Sequence, residues 1–362
     1  MKLSYKLAFL TSFLAAAFFW QVDPAAASTD CYVYSEDVGM VCSTIQHPTT
    51  FTKPETPQDS FLLDTKYVRL ADFANVYAEP NGELVRNVGD GFLYSTLSGQ
   101  KMVDGELWYM INLGEWVRGT DARPAESSKF RGFEVLRQPE RPFGWVVVRD
   151  FRPSSAPGQP EDPSFNEMYR YDFFQIYDAA VDEEGWMWYY LGDGRWVKQT
   201  NVSVVDVKQR PEGVAEDEYW VEIDLYEQTL AAYEGDRMVF ATLISSGDPR
   251  WPTYEGLFQV WERWVTTKMS GAEGKVDYYF VEDVPHTMYF DQKNEIALHG
   301  AYWHDRFGYK HSHGCVNMPP LDAEWVWDWS SEAEHELWVW AHTSDPLDYF
   351  PRHDREVSFV GP

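Results

Sequence analysis

Cysteine and basic side chains are scarce in this chain of 362 residues, and each scarcity excludes a class of protein. Three cysteines are too few for the dense disulfide framework that holds small secreted domains together. Thirty lysines and arginines stand against 58 aspartates and glutamates, so the formal net charge is −28. Because nucleic-acid phosphates are bound by basic surfaces, we expect no nucleic-acid partner. The acidic surface predicts good solubility, and it could attract substrates that carry free amines.

Long apolar runs are also missing, except near the first residue. Two lysines precede an apolar run over residues 7–20, and the small residues Ala25–Ala27 follow it. This order is typical of a secretory signal peptide. The run is shorter than the roughly 20 residues that a spanning helix needs, which disfavours an uncleaved anchor. We therefore predict a cleaved signal peptide over residues 1–27. The protein is expected to be exported to the cell envelope, wall or periplasm, with no membrane span left after cleavage.

The predicted export affects how the three cysteines are interpreted, because thiols outside the cytoplasm tend to form disulfides. Cys31 and Cys42 lie close together in sequence on either side of a plausible turn at Gly39. They predict a local disulfide, with two free thiols as the alternative. Cys315 is then left over, and an unpaired cysteine in an exported protein is a candidate reactive thiol.

The composition divides the chain into segments. Residues 28–65 predict an N-terminal segment that ends in a linker rich in Thr, Pro, Gln and Asp. Two related modules are predicted over residues 66–135 and 136–210. A different β-rich domain follows over residues 215–345, with a C-terminal tail over residues 346–362.

The two modules are predicted from an internal repeat. Trp108-Tyr109 followed by Trp116-Val117 returns 80 residues later as Trp188-Tyr189 followed by Trp196-Val197. Aromatic and β-branched runs between turn residues predict two copies of one small β-barrel. The pattern loosely resembles bacterial Src-homology-3-type modules, which implies a binding role towards glycan or the wall surface. Burial of these tryptophans in the module cores is the alternative.

The third segment is expected to be mainly β. Alternating and apolar runs predict strands over residues 219–225, 228–233, 238–245, 256–265, 278–280, 288–290 and 296–298. A helix is predicted over residues 321–335, because prolines precede it and Asp322 and Glu324 lie in its first turn.

The segment Ser312-His313-Gly314-Cys315-Val316-Asn317-Met318 carries the most specific chemical signal. A cysteine attacks as its thiolate, and a nearby imidazole or a set of aimed backbone N–H groups promotes that form. The glycine before Cys315 permits a tight turn that can aim the N–H groups of Gly314 and Cys315 at a developing oxyanion. His299 ends an apolar strand upstream, so we expect it to approach Cys315.

An apolar strand ending in His-Gly, an eleven-residue interval and Ser-His-Gly-Cys-Val-Asn together resemble the signature of the L,D-transpeptidase catalytic domain. The resemblance implies a β-sandwich catalytic domain with a short helix after the cysteine motif. It implies that Cys315 is the nucleophile and His299 the general base. The carbonyl of Gly300 would orient the His299 ring, and the N–H of Gly314 would hold the oxyanion.

The resemblance also assigns the wall of the site. Ser312, His313 and Asn317 match substrate-binding positions, and Gly308 matches a glycine inside the intervening loop. One departure stands at Thr253-Tyr254-Glu255-Gly256, where relatives usually carry Thr-Pro-x-Gly. This departure affects donor and acceptor specificity rather than the catalytic core.

The predicted function is that of an exported peptidoglycan L,D-transpeptidase, which forms a thioester with a stem tetrapeptide and transfers it to an amine. Transfer to water, which makes an L,D-carboxypeptidase, and transfer to a protein lysine remain open. A non-catalytic wall-binding protein and a general cysteine peptidase are further alternatives. A zinc site built from His299, His304, His311, His313 and Cys315 is disfavoured, because neither Cys-x-x-Cys nor His-Glu-x-x-His spacing is present. We therefore expect no metal and no other cofactor.

Overall fold

The computed structural model describes residues 50–271 and 277–344, with the backbone of two short strands nearer the start. These are β1 (Cys31–Val33) and β2 (Met40–Cys42), an antiparallel pair in which Cys31 lies opposite Cys42. The side chains of the predicted disulfide, the signal peptide and the C-terminal tail lie outside the described residues. The chain from Thr49 onward clusters as one compact unit. No described helix is long and apolar enough to cross a membrane.

The first part of this unit consists of short strands and two 3-10 helices, at Phe61–Leu63 and Gln199–Asn201. The strands are β3 (Phe51–Thr52), β4 (Tyr67–Leu70), β5 (Asn75–Tyr77), β6 (Leu84–Asn87), β7 (Phe92–Thr96), β8 (Gly99–Val103), β9 (Glu106–Asn112), β10 (Glu115–Arg118), β11 (Ala122–Ala125), β12 (Phe133–Val135), β13 (Phe143–Val146), β14 (Asp150–Phe151), β15 (Met168–Tyr169), β16 (Phe173–Gln175), β17 (Asp178–Val181), β18 (Met187–Tyr190), β19 (Trp196–Lys198) and β20 (Val202–Val205).

The second part contains longer strands and the single α-helix of the described residues. Its elements are β21 (Tyr219–Asp224), β22 (Thr229–Glu234), β23 (Arg237–Leu243), β24 (Gly256–Gln259), β25 (Glu262–Gly271), β26 (Tyr279–Asp291), β27 (Ile296–Gly300), β28 (Val316–Met318), α1 (Pro320–Ser331) and β29 (Trp338–His342). The mainly β prediction is confirmed.

Two sheets enclose the core of this second part. The first sheet has the strand order β24-β29-β21-β22-β23-β12-β3, and the second runs β11-β4-β7-β26-β27-β28 with β25 paired to β26. Apolar side chains from both sheets and from α1 meet between them: Val221, Ile223, Leu230, Phe240, Met288, Leu298, Val316, Ala323 and Val326. The other face of the first sheet is also covered, by a core that includes Phe143, Trp145, Trp220, Tyr233 and Met238. Burial on both faces explains why the strands of the first sheet are apolar almost throughout.

Strand predictions differ from the structure at one hairpin. The two short strands predicted over residues 278–280 and 288–290 are one continuous strand, β26, of 13 residues. The strand predicted over residues 256–265 is divided at Val260 and Trp261 into β24 and β25. The chain stays extended between the predicted strands because β26 is paired on both sides, with β25 along one edge and with β7 and β27 along the other.

The helix begins near its predicted start and ends earlier, at Ser331 instead of residue 335. Asp322, expected as a first-turn acid, is completely buried. It accepts hydrogen bonds from Arg131 Nε at 3.0 Å, from the N–H of Gly132 at 2.8 Å and from Thr242 Oγ1 at 2.5 Å. This carboxylate therefore ties the segment that leads into β12 to the first sheet and to α1.

Both copies of the tryptophan repeat form the same strand pairing in the structure. Val117 lies opposite Tyr109 in the first copy, and Val197 lies opposite Tyr189 in the second. Each copy has its own apolar core, and the first tryptophan of each pattern is buried, as the structural alternative expected. The strands form small sheets in the orders β6-β5-β10-β9-β8 and β17-β18-β19. Closure of each copy into a barrel stays a prediction.

Candidate active site

Two neighbouring strands carry or adjoin the predicted catalytic residues. β27 and β28 pair in parallel, with Leu298 opposite Val316 and His299 opposite Asn317. Residues opposite each other project to the same face of a sheet, and side chains alternate along each strand. Cys315 immediately precedes β28, so the nucleophile lies at the start of the strand that pairs with the strand of His299. The interval between the two motifs is the crossover loop that joins these parallel strands.

His299 is buried, with 1% of its surface exposed. Its Nδ1 lies 3.1 Å from the carbonyl oxygen of Gly300. A carbonyl only accepts, so Nδ1 carries the proton and Nε2 keeps a free lone pair. Burial lowers the pKa of His299 to about 4, so the imidazole is neutral at neutral pH. The ring therefore has the tautomer and charge of a general base.

A glycine is required at position 300 to keep this arrangement. A Cβ there would lie 2.8 Å from Pro285 Cγ and 3.0 Å from Pro320 Cα. Any side chain would push β27 away from β26 and from the start of α1. The carbonyl that orients His299 would move with it.

Cys315 is half-buried and its thiol is free. Burial raises the pKa of the Cys315 thiol to about 11, although a hydrogen bond from the backbone of Ala297 to the sulfur opposes this shift. The resting site therefore holds a neutral thiol and a neutral imidazole. Formation of the thiolate has to be coupled to proton transfer during the reaction.

The turn before Cys315 is held by two side chains. Gly314 has a φ of +118°, a conformation that strongly favours glycine. Ser312 Oγ accepts the N–H of Gly314 at 3.1 Å and donates to the carbonyl of Cys315. Thr253 Oγ1 donates to the carbonyl of Gly314 at 2.6 Å. Thr253, the first residue of the departing Thr-Tyr-Glu-Gly segment, is thus a structural anchor of the cysteine turn.

This turn corrects the role expected for Gly314. Its N–H is already donated to Ser312 and is not free to hold an oxyanion. Among the described residues, no hydrogen-bond partner accepts the N–H of Cys315. The backbone donor available at the nucleophile is therefore the N–H of Cys315 itself.

Residues 245–247 lie alongside the cysteine motif. Ser245 and Asn317 exchange two backbone hydrogen bonds, each 2.9 Å long, and the N–H of His311 donates to the carbonyl of Ser246 at 3.0 Å. Gly247 forms a further bridge to Ser312. The predicted substrate-binding residues Ser312 and Asn317 are therefore held at the backbone level, which fixes the direction of their side chains.

His313 lies between two aromatic rings. Its ring centroid is 4.1 Å from that of Trp251 and 5.0 Å from that of Tyr279. Burial, together with the nearby Cys315, raises the pKa of Tyr279 to about 12, so its hydroxyl stays protonated. Trp251 and Tyr279 line the site and were missed in the sequence. The only available signal was the unusual density of aromatic residues around them.

The crossover loop also contains a histidine that the sequence did not assign to the site. His304 is buried, and its Nε2 lies 3.0 Å from the side-chain amide of Asn317. Its Nδ1 accepts the N–H of Arg306 at 3.1 Å. The cysteine motif begins at Ser312, after His304, so nothing in the spacing linked His304 to Asn317.

The five residues considered for zinc do not converge as a ligand set. In the part of the chain that the structure describes, one group of His, Cys, Asp or Glu side chains brings its ligand atoms within 4.8 Å of one another, namely Glu222, Asp224 and His342. This group lies on β21 and β29, and His342 Nε2 is bonded to Glu222 at 2.7 Å. The chemistry at Cys315 is therefore best described by the thiol, the imidazole and the backbone donors.

Comparison with known proteins identifies this region. Residues 218–339 match the YkuD family, the L,D-transpeptidase catalytic domain. This segment is an L,D-transpeptidase catalytic domain. The match contains His299, Cys315 and the strands β27 and β28, and it leaves out both copies of the repeat.

Individual relatives of the L,D-transpeptidase domain cover a similar part of the chain. The Bacillus subtilis (strain 168) protein named "Putative L,D-transpeptidase YciB" is 26% identical over 152 residues, which are 37% of this chain and 68% of that protein. The catalytic domain of an Enterococcus faecium L,D-transpeptidase is 26% identical, with a TM-score of 0.30, and the match covers 35% of this chain and 98% of that structure. A Stackebrandtia nassauensis L,D-transpeptidase is 23% identical, with a TM-score of 0.28, and the match covers 37% of this chain and 59% of that structure.

Proposed function

We propose that this protein is an exported cysteine acyl transferase that cross-links peptidoglycan as an L,D-transpeptidase. The observation that carries the proposal is the parallel pairing of β27 and β28 inside the matched domain. This pairing supports an approach of Cys315, which directly precedes β28, to His299, whose Nδ1 is engaged by Gly300 and whose Nε2 can accept a proton.

The first half of the reaction acylates the enzyme. Cys315 Sγ attacks the carbonyl carbon of the third residue of a stem tetrapeptide, and His299 Nε2 takes the thiol proton. The N–H of Cys315 donates a hydrogen bond to the developing oxyanion. The amide C–N bond then breaks, and the proton passes from His299 to the departing amine of the terminal D-alanine.

The second half releases the acyl group to an acceptor. An amine of another stem attacks the thioester, its proton moves to His299, and the C–S bond breaks to return the thiol. The strongly acidic surface suits an acceptor that carries a cationic amine. Water in place of the amine would make the same site a carboxypeptidase, and the products distinguish the two.

The Cys315→Ala variant tests the nucleophile. The protein without its predicted signal peptide would be incubated with disaccharide-tetrapeptide fragments, and the products would be analysed by mass spectrometry. We expect the wild type to lose D-alanine and form dimers, and Cys315→Ala to lose activity on the order of 10⁴-fold or more. Loss of D-alanine without dimers would assign a carboxypeptidase. Full turnover by Cys315→Ala would refute both activities.

His299→Ala tests the base, with His335→Ala as its matched control. His335 is exposed and follows α1 in the chain, outside the strands that form the site. Removal of His299 should reduce kcat on the order of 10²- to 10⁴-fold, since proton transfer then falls to water. His335→Ala should keep wild-type turnover. Equal losses in the two variants would show that the assay reports stability instead of catalysis.

The repeats and the export signal complete the proposal. We infer that residues 1–27 direct export and that the two repeats place the catalytic domain against the wall or its glycan. Support for a wall-facing role is the family of the catalytic domain, whose substrate is part of the wall.

A further inference from the structure

The ring of His304 is held by both of its nitrogens. The backbone N–H of Arg306 donates to Nδ1 at 3.1 Å, and the side-chain amide of Asn317 lies 3.0 Å from Nε2. The ring centroid lies 4.7 Å from that of His311, nearly perpendicular, and 4.8 Å from that of Phe307. These contacts leave the buried imidazole little freedom to turn.

The proton on His304 fixes the orientation of the amide. A backbone N–H can only donate, so Nδ1 of His304 is an acceptor and the single proton of the neutral ring is on Nε2. The two ends of an asparagine amide are told apart by the hydrogen bonds they make. The end of Asn317 that faces the Nε2–H is therefore its oxygen, and its NH₂ group points the other way.

That NH₂ group is an unused side-chain donor near the site. Asn317 is 2% exposed, and no other described residue is hydrogen-bonded to its side chain. It shares the sheet face of His299, because it lies opposite His299 in the β27–β28 pair, and it is two residues from Cys315 in the chain. An amide donor at this position can reach an oxygen of a peptide bound across the cysteine.

We propose that His304 is a positioning residue, which holds the Asn317 amide with its NH₂ group directed at the reacting centre. There the amide donates to a carbonyl or carboxylate oxygen of the acyl donor. The inference deepens the proposed function and rests on it. With the opposite amide orientation, Asn317 would present an oxygen to the substrate carbonyl and repel it.

The test is a double-variant comparison on the tetrapeptide reaction. His304→Phe keeps the ring contacts and removes both hydrogen bonds, and Asn317→Ala removes the amide. Each should lower kcat/KM about 10- to 100-fold. Because His304 acts through Asn317, the double variant should be no slower than Asn317→Ala alone. His304→Gln, which can both donate and accept, should recover part of the activity.

A matched control and a substrate-free measurement complete the test. His286→Phe replaces another buried histidine, whose Nδ1 has no hydrogen-bond partner among the described residues, and should leave kcat/KM unchanged. In ¹⁵N NMR spectra of the free protein, His304 should be the Nε2–H tautomer, and iodoacetamide should alkylate Cys315 at the same rate in wild type and His304→Phe. An Nδ1–H tautomer, or losses that multiply in the double variant, would overturn the inference. Absence of Cys315-dependent turnover with the expected tautomer would instead refute the proposed function.

Discussion

The two copies of the repeat hold different parts of the active site, by different kinds of contact. The first copy joins through its backbone, because β7 pairs with β26 and Leu93 lies opposite Phe280. The second copy reaches the crossover loop through side chains. Tyr171 donates its hydroxyl to Asp305 at 2.8 Å, and Tyr309 of the loop donates to the carbonyl of Val147 at 3.1 Å. The two copies of the sequence repeat thus contact the catalytic domain differently, the first as a neighbouring strand and the second as a lateral support.

The two kinds of contact should differ in their sensitivity to substitution. A backbone ladder tolerates most side chains, so the first copy should stabilise the β25–β26 hairpin and Tyr279 whatever its exact sequence. Contacts through individual side chains depend on each residue. Changes in the second copy should therefore reach catalysis through the loop that carries His304 and leads to Cys315.

The largest effect is expected at the contact between Gly308 and the second copy. Gly308 has a φ of +94°, and a Cβ there would lie 2.4 Å from Val147 Cγ1. Gly308→Ala should lower the free energy of unfolding by roughly 2–5 kcal/mol and kcat/KM by about 100-fold. Chemical denaturation and the tetrapeptide assay measure the two effects.

Gly105→Ala is the matched control for Gly308→Ala. Gly105 has a φ of +84° in the first copy, and a Cβ there would meet open space. It should cost about 1–2 kcal/mol from backbone strain alone, without loss of activity. Adding Val147→Ala to Gly308→Ala should restore part of the activity. If both glycine variants lost activity equally, contact with the second copy would not be what supports the loop.

Acidic pH should destabilise both the β25–β26 hairpin and the crossover loop, because each contains a histidine that burial keeps neutral. Burial lowers the pKa of His286 in β26 and of His311 in the crossover loop to about 4. An unfolded histidine binds its proton near pH 6.5, so stability is complete above that pH and is lost as the pH falls towards 4. At pH 5, His286 alone should reduce the free energy of unfolding by about 2 kcal/mol.

His286→Phe isolates this contribution. The variant should have a smaller decrease in melting temperature between pH 7 and pH 5 than the wild type, measured by calorimetry. Hydrogen exchange at pH 5 should show opening of the hairpin in the wild type and less of it in the variant. An unchanged pH dependence would mean that His286 is not protonated on unfolding.

The smallest effects are expected when a single hydroxyl group is removed from each copy of the repeat. Ser95 in β7 donates to Glu282 at 2.5 Å, as Tyr171 donates to Asp305. Ser95→Ala should cost about 1–2 kcal/mol with unchanged kcat, because the ladder remains. Tyr171→Phe should cost less than about 1 kcal/mol and lower kcat a few-fold. The reverse pattern would contradict the assignment of the two copies.

Local sequence patterns predicted the catalytic domain well. Apolar periodicity predicted the strand that runs into His299 and the start of the helix, and resemblance to a known family assigned the cysteine motif, since all three are local features. The tryptophan repeat was also visible, since the same register returns in both copies. Tyr279, Trp251 and His304 were not predicted, because each reaches the site through a partner distant in sequence.

Two further details depend on tertiary contacts. The N–H of Gly314 was expected to hold an oxyanion, but Ser312 folds back and accepts it, which no spacing rule reveals. β12 lies at the end of the segment predicted as the first module, yet it pairs with β23 of the catalytic domain. Its short apolar run fits many strand partners, and only the assembled sheet selects one.

The interleaving of strands also sets a timescale for folding. Leu93 pairs with Phe280 and Phe133 pairs with Ala241, each more than a hundred residues later in the chain. Pairings this distant close large loops, which slows folding. Until β23 and β26 are in place, β12 and β7 present open edges to which other chains can bind. Refolding yield should therefore decrease with protein concentration, and a chain ending before β26 should aggregate.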